Sequence, residues 1–131
     1  MSKRCKNDFL ANLECDAYNI RCQDDRFEKV LLCNPYRYGF RDRDEAQTLF
    51  KELHRVLIDK GEVIVVTTNV NPYAVPDVIE RELKIFNSSG KRFEMLDTRI
   101  NHTIEYKGYK FYTSSGQETY PSHKVVLTCL K

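Results

Sequence analysis

Two short, continuous apolar segments of the chain predict buried strands. Lys29-Val-Leu-Leu-Cys33 stops abruptly at Asn34-Pro35-Tyr36, and Val63-Ile-Val-Val66 continues into Thr67 and Thr68. Neither segment alternates apolar with polar residues, so neither has a solvent-facing side. We therefore expect both strands in a parallel sheet that is covered on both faces, with the second strand at its centre.

An amphipathic helix is predicted between these strands, from Asp44 to Asp59. Asp42 followed by Glu45 resembles a capping box at its start, and Gly61 suits the left-handed residue just past its end. Apolar residues recur at three- and four-residue steps and form one stripe, which is typical of a helix packed on a sheet. The stripe consists of Ala46, Leu49, Phe50, Leu53, Val56 and Leu57.

The rest of the chain predicts a second helix and then strands. Pro76 fits the first turn of a helix that runs from Asp77 to about Phe86. The strand-like segments are Phe9–Cys15 near the start and Phe93–Asp97, Ile100–Tyr106, Tyr109–Thr113 and Lys124–Leu130 near the end, with Lys107-Gly108 as a turn. The fold class is therefore α/β: a reduced sheet with a parallel βαβα unit followed by antiparallel C-terminal strands.

Composition and charge exclude several classes of protein. The 131 residues suffice for one domain over 1–131, with 1–8 frayed. Apolar residues make up 41% and charged residues 31%, which excludes collagen-like, coiled-coil and low-complexity chains. The net charge of +2 is too balanced to indicate nucleic acid or membrane by itself. No apolar run approaches the ~20 residues that span a bilayer, and no signal peptide is recognisable.

Cysteine and glycine spacing narrows the chemistry further. The five cysteines are odd in number and include no CxxC pair, which predicts neither a disulfide framework nor a zinc site and favours a reducing cytoplasm. Cys33 and Cys129 lie in apolar runs, where a free thiol behaves as a small hydrophobe. The five glycines are never close together, which excludes GxGxxG and Walker loops.

One type of tripeptide follows both predicted strands: Asn34-Pro35-Tyr36 and Asn71-Pro72-Tyr73. Carboxyl ends of parallel strands meet at one edge of a sheet, where ligands bind in open α/β folds, so we expect both tripeptides there. An Asn side chain and a proline carbonyl can accept hydrogen bonds from a planar amine, on which a Tyr can stack. The alternative is that Asn-Pro merely ends each strand and the Tyr packs the loop.

The loop after the first strand interleaves basic and aromatic residues. Such a composition suits a phosphate-bearing or base-stacking ligand, so a nucleic acid or nucleotide is a candidate ligand. The alternative is a solvated surface, because Asp42 and Asp44 cancel part of the charge. The residues concerned are Tyr36, Arg37, Tyr38, Phe40, Arg41 and Arg43.

The remaining titratable residues are weaker candidates, and we expect no metal site. The adjacent carboxylates Asp24 and Asp25 are more simply solvated than metal-binding. His54 projects away from the apolar stripe, which predicts a surface position. For His102 and His123, the sequence places neither a nucleophile nor an orienting carboxylate beside the ring.

Four segments together resemble the class I S-adenosylmethionine-dependent methyltransferases. They are Asp16-Ala17, Phe27–Tyr36, Leu49–Leu57 and Lys60–Val65. The resemblance implies a Rossmann-like methyltransferase-type sheet, S-adenosylmethionine as cofactor, and adenine contacts from Asp16 and Ala17. Asn34-Pro35-Tyr36 also resembles the Asn-Pro-Pro-Tyr motif by which amino-group methyltransferases hold a target nitrogen, although the second proline is missing.

The resemblance implies a division of roles and leaves two functional hypotheses. Asn34, Pro35 and Tyr36 would be catalytic, and the substrate would contact Arg37, Tyr38, Asn71 and Tyr73. The family's first half, with its glycine-rich cofactor loop, has no counterpart here. The first hypothesis is a methyltransferase-like domain that acts on an amino nitrogen and needs that missing half. The alternative is a non-catalytic interaction module or the C-terminal domain of a modular, polymorphic toxin-type protein.

The missing half also predicts assembly. Half of such a sheet leaves an apolar edge near Val30–Cys33, and unpaired edges favour association. We therefore expect a homo-oligomer such as a dimer, or a second chain that completes the sheet, and no membrane.

Overall fold

The described residues form a four-stranded mixed sheet with two helices. The computed structural model describes residues 20–35, 39–100, 106–113 and 115–131. The strands are β1 (Phe27–Cys33), β2 (Leu57–Thr67), β3 (Arg92–Arg99), β4 (Phe111–Tyr112), β5 (Glu118–Thr119) and β6 (His123–Leu130), and the helices are α1 (Arg43–Val56) and α2 (Pro76–Asn87). The main sheet has the order β1-β2-β6-β3, while β4 and β5 form a separate ribbon.

Strand directions confirm the predicted fold class. β1 and β2 are parallel neighbours, with Val30 beside Val63 and Leu32 beside Val65. β6 lies antiparallel to both β2 and β3. β2 is therefore central, as predicted, and within the described part of the chain β1 forms one edge of the sheet.

Both helices begin where the sequence predicts. The Asp42 side chain caps α1 by accepting a hydrogen bond from the Glu45 backbone N–H at 2.8 Å. Pro76 occupies the first turn of α2, which ends at Asn87. The two helix starts could be located because capping and proline chemistry are local.

The end of α1 differs from the prediction. The helix ends at Val56, and Leu57–Lys60 already belong to β2, because Leu57 pairs with Phe27 and is fully buried. The prediction that Gly61 terminates the helix is therefore wrong. A Cβ at Gly61 would lie 3.2 Å from the carbonyl oxygen of Glu28, so this glycine permits the close approach of β2 to β1.

The main core lies between the helices and one face of the sheet. Val63 and Val65 on β2 and Val125 and Leu127 on β6 are fully buried in it. Four aromatic rings fill the layer beneath the helices, with centroids of neighbouring rings 5.5 to 6.1 Å apart. They belong to Phe40, Phe50, Phe86 and Phe93.

The opposite face of the sheet is only partly covered by described residues. Leu31 and Val66 are buried there, with Tyr106 and Phe111 among the residues packed against them. On β3, Leu96 is 64% exposed. The predicted cover on both faces is thus confirmed for β1 and β2 at Leu31 and Val66, while β3, for which no such cover was predicted, leaves Leu96 exposed.

A buried carboxylate joins the two helices. Glu82 on α2 is 2% exposed and accepts hydrogen bonds from Arg43 Nε at 3.2 Å and Arg81 Nε at 3.0 Å. Burial raises the pKa of Glu82, but the hydrogen bonds and charges of Arg43 and Arg81 outweigh burial and hold the pKa below its usual value. Gln47 on α1 also donates to the Glu82 carbonyl oxygen at 2.9 Å. These contacts fix α1 and α2 relative to each other.

His54 is buried, so the prediction of a surface position is wrong. Its ring packs edge-on against Phe93, with centroids 5.3 Å apart, and Nε2 donates to the Leu130 carbonyl oxygen at 3.0 Å. The helical pattern missed this because β3 and β6 cover α1 beside its apolar stripe. Burial lowers the pKa of His54, and the charges of Lys131 and Lys91 lower it further, against the hydrogen bond to Leu130.

We expect His54 to make folding stability depend on pH. Because its pKa in the folded state lies below the unfolded value of about 6.5, its contribution is complete above that value and is lost as the pH falls from there towards the folded pKa. His54→Gln keeps a donor near Leu130 and cannot titrate. Its free energy of unfolding should therefore fall less than that of the wild type between about pH 7 and pH 5.

Denaturant unfolding at several pH values measures this difference. Lys51→Gln changes an exposed position of the same helix and should retain the wild-type pH dependence. A His54→Gln variant with the wild-type pH dependence would contradict this account of His54.

The cysteine prediction holds only in part. Cys129 is a buried free thiol, as predicted, and burial raises its pKa. Cys22 is also free. Cys33, predicted to be a free thiol, is disulfide-bonded. Cys33 therefore no longer supports a reducing compartment, and the cytoplasmic location of the protein stays a prediction.

The predicted strand Phe9–Cys15 and the predicted frayed segment 1–8 lie outside the described residues. In the described part, no helix is long and apolar enough to cross a membrane.

Candidate functional site

The candidate site lies where β1 and β2 end. Asn34 follows β1 with φ of 49°, a left-handed conformation that turns the chain away from the sheet. Its backbone N–H still donates to the Val66 carbonyl oxygen at 2.6 Å. Pro35, directly after it, is buried. The turn thus places the Asn34 side chain and the Pro35 carbonyl at the edge of the sheet.

Asn71 lies at the same edge and contacts both residues. Its Nδ2 donates to Asn34 Oδ1 at 2.9 Å and to the Pro35 carbonyl oxygen at 2.8 Å. Its Oδ1 accepts from the Tyr73 backbone N–H at 3.0 Å. The prediction that the two tripeptides meet at one edge is therefore confirmed for Asn34, Pro35 and Asn71.

Gly39 packs closely against Pro35 and so helps to fix the position of that residue. It has a φ of 102°, and an added Cβ would lie 3.1 Å from Pro35 Cβ. Phe40, the next residue, is 2% exposed and belongs to the main core. Any larger residue at position 39 would be strained and would press on Pro35.

A second group of polar residues reaches this edge from β3 and β6. His123 Nδ1 lies 3.3 Å from Asp97 Oδ1, and His123 Nε2 lies 3.0 Å from Asn69 Oδ1, which also accepts from Ser122 Oγ at 3.1 Å. His123 pairs with Thr67, the last residue of β2. The sequence marked His123 without a carboxylate beside it, because the β3–β6 pairing that supplies Asp97 joins segments far apart in the chain.

Two threonines at the end of β2 complete the edge. Thr67 is fully buried, and its Oγ1 has no hydrogen-bond partner among the described residues. Thr68 Oγ1 lies 2.7 Å from Thr119 Oγ1, which ties the β4–β5 ribbon to the end of β2. The sequence pattern predicted the end of β2 and a strand over Tyr109–Thr113, which contains β4, but not β5.

Several predicted site residues lie outside the described chain. They are Asp16, Ala17, Tyr36, Arg37 and Tyr38. Their proposed contacts therefore stay predictions.

The carboxylates weighed for a metal site have structural partners instead. Asp24 accepts from Arg55 Nη1 at 2.8 Å, and Asp25 pairs with Lys131. Among the described residues, no group of three or more His, Cys, Asp or Glu side chains could hold a metal ion. Asp24 and Asp25 thus help to fix the segment that leads into β1.

Comparison with solved structures shows which fold this is. An S-adenosylmethionine-dependent methyltransferase from Methanosarcina mazei superposes with a TM-score of 0.56 at 15% identity, over 88% of this chain and 65% of its own. This domain has the class I methyltransferase fold. A Pyrococcus horikoshii protein matches with a TM-score of 0.56 at 13% identity, over 89% of this chain and 57% of its own.

A third structure resembles the methyltransferase-like domain to a similar degree. It is a candidate DNA modification methylase from Thermus thermophilus, with a TM-score of 0.51 at 16% identity, over 88% of this chain and 51% of its own. The domain thus spans between 51% and 65% of the length of these structures. No protein-family model matches the chain, and no curated protein does.

The glycines of the methyltransferase-like domain do not form a cofactor cradle. A glycine-rich loop binds a cofactor because its backbone approaches where a Cβ would otherwise lie. Here the five glycines lie singly along the chain: Gly39 packs on Pro35, Gly61 lies between β1 and β2, and Gly90, Gly108 and Gly116 are each at least eight residues from the next glycine. The described residues therefore contain no glycine-rich loop that could hold S-adenosylmethionine in this way.

Proposed function

We propose that this domain holds the acceptor of an S-adenosylmethionine-dependent N-methyltransferase, and that a second polypeptide supplies the missing part of the cofactor site. One observation carries the proposal. Asn34 Oδ1 and the Pro35 carbonyl oxygen converge on a single NH2 nitrogen, at 2.9 and 2.8 Å. That nitrogen belongs to Asn71, whose primary amide stands in for the acceptor group.

Two converging acceptors suit an amino group for a chemical reason. An NH2 group has two hydrogens, so two fixed oxygens define both its position and its plane. Methyl transfer requires mainly this alignment from the protein, because reacting atoms held in near-attack geometry need little further catalysis. The same two oxygens stabilise the positive charge that develops on the nitrogen.

Residues outside the described chain complete the proposed acceptor site. Tyr36 would stack on the acceptor, while Arg37 and Tyr38 would contact a phosphate or base if the acceptor is a nucleotide or nucleic acid. Asp16 and Ala17 would contact the adenine of the cofactor. These roles rest on the sequence resemblance.

Two observations support a partner that pairs with the sheet. β1 forms an edge of the sheet in the described part of the chain, and Leu96 leaves apolar area exposed on the less covered face. A second copy of this domain would cover this surface, and a polypeptide that carries a glycine-rich loop would also complete the cofactor site.

A second candidate function is a non-catalytic interaction module. It is favoured by the contact of Asn71 with both Asn34 and Pro35, because the proposed acceptor oxygens are already satisfied within the domain. Tyrosine and arginine side chains would then supply most of the binding energy for a partner.

Calorimetric titration with S-adenosylhomocysteine tests the proposed function. We expect no binding by this chain alone, and binding once a co-expressed chain carrying a glycine-rich cofactor loop is present. In that complex, Asp16→Ala should weaken binding roughly 10- to 100-fold, since a hydrogen bond to a charged group contributes about 1.5–3 kcal/mol.

The control for this titration is Asp44→Ala, at an exposed position on α1, which should bind as the wild type does. Equal affinity of the Asp16→Ala and wild-type complexes would contradict the adenine contact. A complex that assembles and shows no heat with S-adenosylhomocysteine would favour the interaction module.

A further inference from the structure

The side chain of Asn71 has only one orientation that satisfies its neighbours. Oδ1 accepts from the Tyr73 backbone N–H at 3.0 Å, and Nδ2 donates to Asn34 Oδ1 and the Pro35 carbonyl oxygen. A flipped amide would set Oδ1 against two acceptors and Nδ2 against a donor. The nitrogen therefore faces the two oxygens, and both of its hydrogens are used.

Asn71 and an acceptor amine would compete for the same two oxygens. Asn71 is 3% exposed, and its amide lies where the proposed substrate group must bind. Asn34 Oδ1 and Pro35 O cannot hold two NH2 groups in the same plane at hydrogen-bond distance. A substrate NH2 group can take the position between these two oxygens only if the Asn71 side chain moves.

The backbone around Asn71 is held independently of its side chain. The Asn71 N–H donates to the Thr68 carbonyl oxygen at 3.1 Å, and the Asn71 carbonyl accepts from the Ala74 N–H at 3.4 Å. Ala74 is fully buried, while Val70 and Pro72, on either side of Asn71, are exposed. Rotation of the Asn71 side chain would thus free Asn34 and Pro35 while the loop stays anchored at Thr68 and Ala74.

We infer that Asn71 is a displaceable plug: it closes the acceptor site by imitating the substrate's NH2 group and leaves when a primary amide or amine binds. This inference rests on the proposed function. A plug lowers the apparent affinity for the acceptor in proportion to the fraction of molecules in which the site is open. The other interpretation of the same contacts is a permanent clamp that joins the ends of β1 and β2.

Binding of a matched pair of small probes separates a plug from a clamp. Benzamide carries an NH2 group, and N,N-dimethylbenzamide is similar in shape but has no N–H. We expect Asn71→Ala to bind benzamide at least ~10-fold more tightly than the wild type, because the site no longer has to open. The affinity for N,N-dimethylbenzamide should not change. Val70→Ala, an exposed neighbour in the same loop, should bind both probes as the wild type does.

A second measurement uses the unaltered chain and is independent of how the variant folds. The two Nδ2 hydrogens of Asn71 give their own NMR signals, and these should shift when benzamide is added to the wild type and not when N,N-dimethylbenzamide is added. If Asn71→Ala fails to fold, this titration decides the question alone.

The outcomes separate this inference from the proposed function. If the wild type and a folded Asn71→Ala variant bind benzamide equally, the Asn71 signals do not move and Asn34→Ala weakens the binding, the NH2 group contacts Asn34 without displacing Asn71, and only the plug is overturned. If neither protein binds benzamide, Asn34 Oδ1 and the Pro35 carbonyl oxygen do not bind an NH2 group. The proposed function is then overturned together with the plug.

Discussion

Val65→Asp should prevent the domain from folding. Val65 is fully buried at the centre of the sheet, where it pairs with Leu32 on one side and Val125 on the other. A carboxylate there would be surrounded by apolar side chains with no partner, and such burial belongs to the class of substitutions that cost more than about 4–5 kcal/mol. Domains of this size are stable by only about 5–15 kcal/mol in total.

The same substitution at an exposed valine provides the control. Val70 is 57% exposed in the loop after β2, so Val70→Asp should melt within a few degrees of the wild type. Thermal unfolding followed by circular dichroism compares the two variants. A Val65→Asp variant with a cooperative melt like that of Val70→Asp would show that β2 is not the central strand.

Asn34→Ala should abolish methyl transfer by the complete complex while sparing the cofactor. Asn34 Oδ1 is one of the two oxygens that would hold the acceptor nitrogen, and removing one preorganised group that stabilises developing charge costs about 100-fold or more in turnover. The cofactor contacts expected from Asp16 and Ala17 are untouched. Turnover should therefore fall with little change in affinity for S-adenosylhomocysteine.

Asp16→Ala should show the opposite pattern in the same complex. It should weaken cofactor binding and retain transfer at saturating cofactor. Loss of both properties in both variants would mean that Asn34 supports the fold and not the acceptor. Val70→Ala serves here too as the variant expected to keep wild-type turnover.

Local sequence patterns were sufficient for the elements that build the site. The apolar runs of β1 and β2 and the cap at Asp42 were located because strand burial and helix capping are set by neighbouring residues. The coincidence of Asn34 and Asn71 at one edge followed from the rule that parallel strands end together. The donation from Asn71 into the Asn34–Pro35 pair did not follow, because it depends on the path of the loop and a side-chain rotamer.

The missed features all depend on contacts between distant parts of the chain. His54 is buried because β6 and β3 cover α1, and Asp97 reaches His123 because β3 pairs with β6. The pattern predicts a helix end at Gly61 because the apolar residue Leu57 continues the stripe of α1. Leu57 is, however, the first residue of β2. Periodicity alone cannot distinguish these cases, since a residue next to a helix end can be buried in either element.

Transfer of a labelled methyl group to an acceptor nitrogen tests the proposed function. The assay combines this chain, a co-expressed chain with a glycine-rich cofactor loop, labelled S-adenosylmethionine and a primary amide or amine acceptor, with N,N-dimethylbenzamide as the blank. We expect label on the acceptor nitrogen only when both chains are present. An assembled complex that binds S-adenosylhomocysteine and leaves every primary amide and amine unlabelled, or labels them equally well with this chain omitted, would contradict the proposed function.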